Sequence, residues 1–401
     1  VFDEVTTKLP YIFAGSVTVA NNELTLNIER KAADELGLTR AAASGFDAIL
    51  DAAVNDDTIA QSFLEIENGE TLQAQVSQML PDHAGGLFDT ATRASRLAAQ
   101  HVMDKDSIFD VTEIGGMAAW LEPVYWRSNR DAVGTSSYKS SGWGFSGGVE
   151  WLTDIGYVGG SYAWLSGKVD NNGGSQTVDT SQHDLAAFWR TGRDSPLFAF
   201  ARVGAARTSF SSTRDVTPTI DDVEYSYQTT GDWSGWLFSG MGGASYDIKP
   251  TRNLKIRPKA VLEWFRLGED GYSESGGGEA VDLTVEKRTS SSLSATTSLA
   301  LSYAFGAPRK DYTPLTLELE GGRRSVLSGK LGATAAYFTD DDDVAGTPFT
   351  ISPDALDSAW LGELRVLAGG WDYLWKVSAG AEKTANSDIN YTARISLSVA
   401  F

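Results

Sequence analysis

The chain runs to 401 residues, with 41 Gly, 12 Trp, no Cys and a formal net charge of -20. The lack of Cys excludes a disulfide framework, thiolate chemistry and a Cys-based metal site, and the negative balance argues against nucleic acid as a partner. No run of about 18 apolar residues occurs, which excludes a transmembrane helix. Transmembrane strands stay open, because about 9–11 alternating residues suffice for each and leave a soluble-looking mean hydropathy, here -0.20.

No basic stretch followed by an apolar one stands at Val1, so a chain that crosses the inner membrane is expected to be a mature or processed product. Residues 1–38 read as short strands, 13–19 and 24–29, with Leu24, Leu26 and Ile28 on one face. Joined at Asn21-Asn22, they form either a free-standing hairpin or the last rungs of a β-solenoid. Residues 39–80 change character: Ala-rich segments 40–54, 57–65 and 70–80 carry helical spacing, and Leu72, Val76, Met79 and Leu80 share one side. Pro81 breaks that pattern. After Leu80-Pro81-Asp82-His83-Ala84-Gly85-Gly86 a helical run extends to Asp104. About 18–20 residues make a rod of about 27–30 Å, close to the thickness of a hydrocarbon core. Asp89, Arg93, Arg96, Gln100 and His101 make it too polar for lipid but suited to a polar-lined pore.

From 113 onward the text is strand after strand. Twelve are predicted: 113–127, 140–153, 156–168, 179–192, 197–213, 226–248, 254–270, 282–305, 314–326, 357–369, 372–384 and 390–401. The second sets Trp143, Phe145, Val149 and Trp151 against Gly144, Ser146, Gly148 and Glu150. The seventh sets Ile256, Ala260, Leu262 and Trp264 against Lys255, Arg257, Lys259 and Glu263. The eleventh sets Trp375, Val377, Ala379 and Ala381 against Lys376, Ser378, Gly380 and Glu382. Charges at alternate positions are costly in a sandwich core and natural on the wall of a water-filled lumen. Connections alternate: short at 154, 193–196, 249–253, 306–313 and 370–371, mostly long at 128–139, 169–178, 214–225, 271–281 and 327–356, with 386–389 the one short loop on the long side. Outer-membrane barrels have short periplasmic turns and long outer loops. Trp126, Tyr157, Trp189, Trp264, Trp371 and Tyr373 lie near strand ends, where ring-shaped amphipaths meet a membrane interface; the competing reading is core aromatics of a β-sandwich.

The last strand alternates to the end, with Tyr391, Ala393, Ile395, Leu397, Val399 and Phe401 on one face. It resembles the closing strand of bacterial outer-membrane barrels, whose terminal Phe belongs to the signal read by the barrel-assembly machinery; Tyr391, Ile395, Leu397, Val399 and Phe401 are the positions that the resemblance assigns. A helix, twelve strands and a terminal Phe, with Leu80-Pro81-Asp82 and Gly85-Gly86 before the helix and Gly142 to Trp151 as second strand, are together similar to the translocator of autotransporters, the type V secretion family. The resemblance covers 80–401. It implies an all-β membrane protein: a 12-stranded antiparallel transmembrane barrel (113–401) with an α-helix in the lumen (81–112), preceded by a small β/α passenger remnant, namely the passenger's C-terminal strands (1–38) and a helical junction (39–80). It implies a translocator that moves its own passenger across the outer membrane, C-terminal end first, and anchors it outside while the helix plugs the pore. The implied partners are outer-membrane lipid and lipopolysaccharide, the assembly machinery and periplasmic chaperones, the passenger itself, and other envelope proteins.

Within that frame the pore-helix residues are Gly86, Asp89, Arg93, Arg96 and Gln100, and the lumen wall includes Glu122, Glu150, Arg257, Glu263, Glu318, Glu363 and Glu382. Charge pairs between helix and wall are expected; a solvated helix flank is the plainer reading. Family members that cut their passenger inside the barrel use an Asn-Asn pair in the helix, and residues 69–112 hold no Asn, so self-cleavage by that route is not expected. No cofactor, metal or catalytic residue is expected: His83, His101 and His183 are scattered without a nucleophile motif, His183 reads as a polar loop residue, Gly276 to Gly278 lack a strand–helix setting, and the Asp340 to Asp343 run lacks EF-hand spacing. A stand-alone channel with a periplasmic N-terminal domain is the alternative, and a barrel lipase the next.

Overall fold

The computed structural model describes residues 9–20, 23–108, 114–192, 194–307, 312–339, 346–370 and 373–400. Phe401, Trp371, the Asn21-Asn22 turn and the Asp340 to Asp343 run lie outside the described residues.

An antiparallel hairpin comes first, β1 (Phe13–Ala20) and β2 (Glu23–Arg30). Helices α1 (Arg40–Ala53), α2 (Asp57–Glu65) and α3 (Gly69–Gln78) follow. Each starts on a side-chain cap: Thr39 accepts from the Ala42 N–H, Asp56 from Thr58 and Ile59, and Asn68 from Thr71, which satisfies donors that a helix start leaves open. Helix α4 (Gly86–Met103) begins at Gly85, whose φ of 83° is the left-handed region that favours Gly, and runs into a 3-10 turn at Lys105–Ser107.

The strands are β3 (Met117–Arg130), β4 (Tyr138–Thr153), β5 (Gly156–Asn171), β6 (Gln176–Arg190), β7 (Leu197–Val216), β8 (Thr219–Ile220), β9 (Val223–Glu224), β10 (Tyr227–Tyr246), β11 (Leu254–Glu269), β12 (Tyr272–Ser273), β13 (Leu283–Val285), β14 (Arg288–Ala304), β15 (Thr313–Lys330), β16 (Thr334–Phe338), β17 (Phe349–Ile351), β18 (Ala359–Gly369), β19 (Tyr373–Thr384) and β20 (Asn390–Ala400). Twelve of them, β3 to β7, β10, β11, β14, β15 and β18 to β20, close into one antiparallel barrel. The seam is β20 against β3, in register from Ala400 opposite Ala118 to Tyr391 opposite Arg127. The period of two sorts the faces. On β20, Tyr391, Ile395 and Leu397 are exposed outward and Arg394, Ser396 and Ser398 are buried inward. The outward side of the sheet is therefore apolar, while the inward side carries buried charge and, on β6, β7, β10 and β11, an apolar cluster with Phe188, Phe200, Phe210, Leu237 and Phe265 that includes residues of α4.

Four sequence expectations need correction. The connection at 169–178 is not a long loop: alternation continues through Val169 and Val178, both buried, and Gly173 and Gly174 turn the chain tightly at φ 72° and 105°. The strand expected at 282–305 is two strands. Leu283–Val285 leaves the barrel and joins β12, β16 and β17 in a separate four-stranded sheet, which gives the connections after β11 and β15 a structure of their own. Trp126 and Tyr157 are not interface aromatics, since both are buried facing inward; Trp126 packs on Ala94, Leu97 and Ala98 of α4. His183 is not in a loop. It lies on β6 with its ring outward, 2.8 Å from the Tyr162 hydroxyl.

The separate sheet has a purpose in packing. Phe46, Ile49, Phe63, Leu72 and Val76 of α1 to α3 share one apolar core with Leu283, Val285, Phe338, Phe349 and Ile351. Each such side chain contributes about 1.5–3 kcal/mol when fully buried, so the segment before α4 and the barrel's long connections fold as one cap over one end of the cylinder. Ile395→Arg, which puts a charge on the outward apolar band, is expected to destabilise the barrel by about 2–4 kcal/mol; urea titration of the heat-modifiable folded band on a gel measures it.

Candidate functional site

The lumen is dense in buried charge, and α4 lies along it; a further fully buried pair, Arg214 with Glu274, sits under the cap. At about 1.5 Å per residue this helix is about 27 Å long and runs from the capped end to the end with short turns. Gly86 starts it in a tight place: a Cβ there would come within 2.8 Å of Val169 and 3.1 Å of Tyr138. Its small side chains, Ala91, Ala94 and Ala98, pack against the inner faces of neighbouring wall strands. Thr90 bonds Ser140 at 2.6 Å, Ser95 donates to Asp184 at 2.6 Å, and the Ala98 carbonyl accepts from Ser146 at 3.1 Å.

The other side of α4 carries charge. Arg93 meets Asp89 at 3.2 Å, one turn earlier, and Glu382 on β19 at 3.3 Å. Asp89 also accepts from Ser128 at 2.9 Å. Arg96 reaches Glu263 on β11 at 2.9 Å, with its guanidinium 5.3 Å from the Phe265 ring. Gln100 borders a polar cavity between α4 and the wall, lined also by Arg93, Glu263, Glu320, Arg365 and Glu382. The helix is thus seated on one wall and spaced from the opposite one by room for water.

Toward the C-terminal end of α4 the contacts tighten. His101 stacks on Trp120 with ring centres 4.1 Å apart and pairs with Glu122 at 2.8 Å, and Glu122 also holds Arg394 at 3.1 Å. Arg190 forms a bidentate pair with Glu150 at 2.6 and 2.8 Å and donates to the His101 carbonyl at 2.9 Å, which places a cation at the helix C-terminus, where the dipole favours it. Asp104, Lys105 and Asp106 then spread to four partners: Lys376 at 2.6 Å, Asp247 at 2.8 Å, and Arg257 and Lys255, each at 2.8 Å. Above α4, Asp82 is held by Arg288 at 2.6 Å and by Asn171 at 2.8 Å.

Of the wall residues named from sequence, Glu122, Glu263 and Glu382 touch α4 and Arg257 touches the turn after it. Glu150 is one bond removed, through Arg190. Glu318 and Glu363 pair instead with Arg365 on the wall, each at 2.5 Å. The residues that sequence reasoning missed are the wall cations Arg190, Arg202, Arg324, Arg365 and Arg394, and the triplet Asp104 to Asp106. The first group stood at inward positions of alternating strands, the same signal that marked the carboxylates. The triplet gave none, since three charges after a helix read as a solvated end. Among the described residues no group of acids and histidines is arranged to hold a metal ion, and no helix is long and apolar enough to cross a membrane.

A polar lumen filled by a helix within a closed twelve-stranded cylinder fits a known family. The autotransporter β-domain matches residues 119–366. This chain belongs to the autotransporter family. Its fold is that of the translocator domain of the autotransporter NalP from Neisseria meningitidis, with a TM-score of 0.58 at 14% identity over 78% of this chain and 98% of that one. The β-domain of the Bordetella autotransporter BrkA aligns at a TM-score of 0.44 and 14% identity, over 71% of this chain and 99% of that one. No curated protein matches the chain by sequence. As an autotransporter β-barrel of type V secretion it is a protein of the bacterial outer membrane.

Two outcomes follow for this autotransporter. Glu382→Ala leaves Arg93 and Arg324 without their shared carboxylate, which sits 2.5 Å from Arg324; the loss is expected to weaken α4 docking by about 3 kcal/mol, seen as faster protease cleavage within residues 86–103 while the barrel stays intact. Burial holds the His83 imidazole below its ordinary value, with Arg288 acting in the same sense and the Pro81 carbonyl, Asp82 and Asp354 opposing. The docked segment then binds fewer protons than the undocked one, so docking weakens as pH falls from about 6.5 toward the lowered value. Hydrogen exchange at residues 82–86, corrected for intrinsic rate, is expected to rise between pH 7.5 and 5.5 in the native chain and to stay flat in His83→Gln.

Proposed function

We propose that this barrel carries an N-terminally attached passenger across the outer membrane, anchors it at the cell surface, and is afterwards closed by α4. The observation that carries the reading is the path of the chain. It leaves the capped end, runs the length of the lumen as α4, turns at Asp104 to Asp106, and enters the wall at β3 from the short-turn end. The described residues before Gly86 therefore lie at the end with the long connections, which in outer-membrane barrels faces outward.

The chemistry supports passage followed by closure. Part of the wall presents Glu, Arg, Lys and Ser inward, which offers a passing backbone hydrogen-bonding partners. No ATP is at hand in the periplasm, so direction has to come from folding outside. The core formed by α1 to α3 with Leu283, Phe338 and Phe349 is such a fold: it is wider than the helix and has to come apart before the chain can slip back. The ion pairs along α4 then hold the helix in place. Residues 1–38 and 39–80 are on this reading the end of the passenger and its junction, and outer-membrane lipid, periplasmic chaperones and the assembly machinery are the partners. The role of the barrel is transport, with no reaction catalysed in it.

Two measurements test this. An epitope placed before Pro10 is expected to be cut by protease added to intact cells; protection of the epitope sinks the reading. In planar bilayers the intact chain is expected to show little conductance and a deletion of residues 81–104 to open a large pore. A large open pore in the intact chain would make it a channel instead.

A further inference from the structure

We propose that the outward rim of β15, β18, β19, β20 and β3 binds the phosphates of a multiply phosphorylated glycolipid in the outer leaflet. Three cations and two aromatics alternate there. Arg323 stands opposite Trp360, and Trp360 opposite Lys383. On the next strands Tyr391 stands opposite Arg127, two positions along from Lys383. All five face outward, and Trp360 is 65% exposed with the Arg323 guanidinium 5.2 Å from its ring.

The height is that of the headgroups. From Tyr373, at the short-turn end, to Lys383 the strand climbs about 25 Å, at roughly 3.3 Å per residue and a tilt of about 40°. That is the height of an apolar band. Below the cations the outward face is hydrocarbon-like: Leu319, Leu364, Ile395 and Leu397. Gly321 and Gly362 sit opposite each other just under the Arg323–Trp360 pair, with nothing within 4 Å of where either Cβ would stand, which leaves a hollow for an acyl chain.

The charges lack protein partners. Among the described residues no carboxylate pairs with Arg127, Arg323 or Lys383, and Lys383 reaches only the Ser387 carbonyl, at 3.4 Å. Some outward cations elsewhere have a carboxylate, Arg207 with Asp270 at 3.8 Å and Lys168 with Asp170 at 3.4 Å, and Lys139 and Arg266 stand singly, but among the described residues only Arg127, Arg323 and Lys383 form a row of cations alternating with aromatics. Asp388, the acid of the last hairpin, is held instead by Asn129 at 2.9 Å. A protein with a net charge of -20 that leaves three neighbouring cations unpaired beside hydrocarbon is arranged for an external anion. Strands lie about 4.8 Å apart and rise about 3.3 Å per residue, so Arg323 to Lys383 is about 10 Å and Lys383 to Arg127, two residues out of step, about 12 Å. That row is too long for one phosphate and fits a headgroup carrying several, with Trp360 and Tyr391 as flat faces for sugar rings.

The inference rests on the long-connection end facing the outer leaflet. Its test is made in detergent, where binding does not depend on orientation, so a failure of binding and a failure of the surface-display experiment are separate results. The full chain is titrated with bisphosphorylated lipid A, with the same lipid after removal of its phosphates, and with inorganic phosphate as competitor, and bound lipid is counted by native mass spectrometry. The expected result is at least tenfold weaker binding for Arg127→Gln/Arg323→Gln/Lys383→Gln, and for the dephosphorylated lipid on the native chain, with no loss for the off-patch variant Lys168→Gln/Arg207→Gln. The heat-modifiable gel shift checks that each variant is folded; if the triple variant is not, the three single variants are read instead. Equal binding by the patch variants, equal binding of the dephosphorylated lipid, or displacement by millimolar phosphate overturns the proposal.

Discussion

A strand with an unpaired edge cannot rest in hydrocarbon, because each open N–H or C=O costs several kcal/mol there. In this autotransporter that constraint is met at one seam, where β20 bonds β3. Closing the sheet creates a second problem. The inward face encloses a space wider than side chains alone fill, and α4, the charges of the wall and the apolar cluster of β6, β7, β10 and β11 divide that space between them. The apolar band, the charged lumen and the helix inside it are consequences of one requirement on the backbone.

The lumen shows how an acidic chain buries carboxylates without leaving them unpaired. Glu122, Glu150, Glu318 and Glu382 are each held by an arginine of the wall. Only some of those pairs include the helix: Arg93 joins the Arg324–Glu382 pair of the wall, Arg96 supplies the cation for Glu263, and Asp104 to Asp106 pair with Lys376, Arg257 and Asp247. The tightest docking is therefore at the short-turn end of α4, and the polar cavity beside Gln100 lies higher up. A buried ion pair is a modest source of stability but costly to break on one side. Such contacts hold a helix in one register along a pore, where apolar packing alone would let it slide.

The capped end follows a different logic. There, strands that left the barrel meet the helices that precede α4 around Phe46, Ile49, Phe338 and Phe349. None of these groups has enough apolar surface to fold alone: β12 and β13 are two and three residues long. Their core is shared, drawing its apolar side chains from α1 to α3 and from the connections alike.

The sequence by itself determined the cylinder. A period of two, repeated with charged residues on one face, has no stable outlet except a closed wall between lipid and water, and that was legible from β4 to β20. It also marked the inward glutamates, since inward and outward positions of the strands alternate, and Arg93 and Arg96, as charges on a helical run of about membrane thickness. What only the tertiary structure decided is which charges meet, because partners such as Arg93 and Glu382 are far apart in sequence and depend on the shear of the closed sheet and the rotation of the helix within it. The same holds for Trp126, read as a membrane-interface ring: alternation admits a bulky aromatic on either face, and its inward place depends on the space that Gly142 and the small face of α4 leave for it. The loop sheet stayed invisible for the matching reason, that strands of two to five residues acquire their partners from distant chain and carry too short a pattern to be read locally.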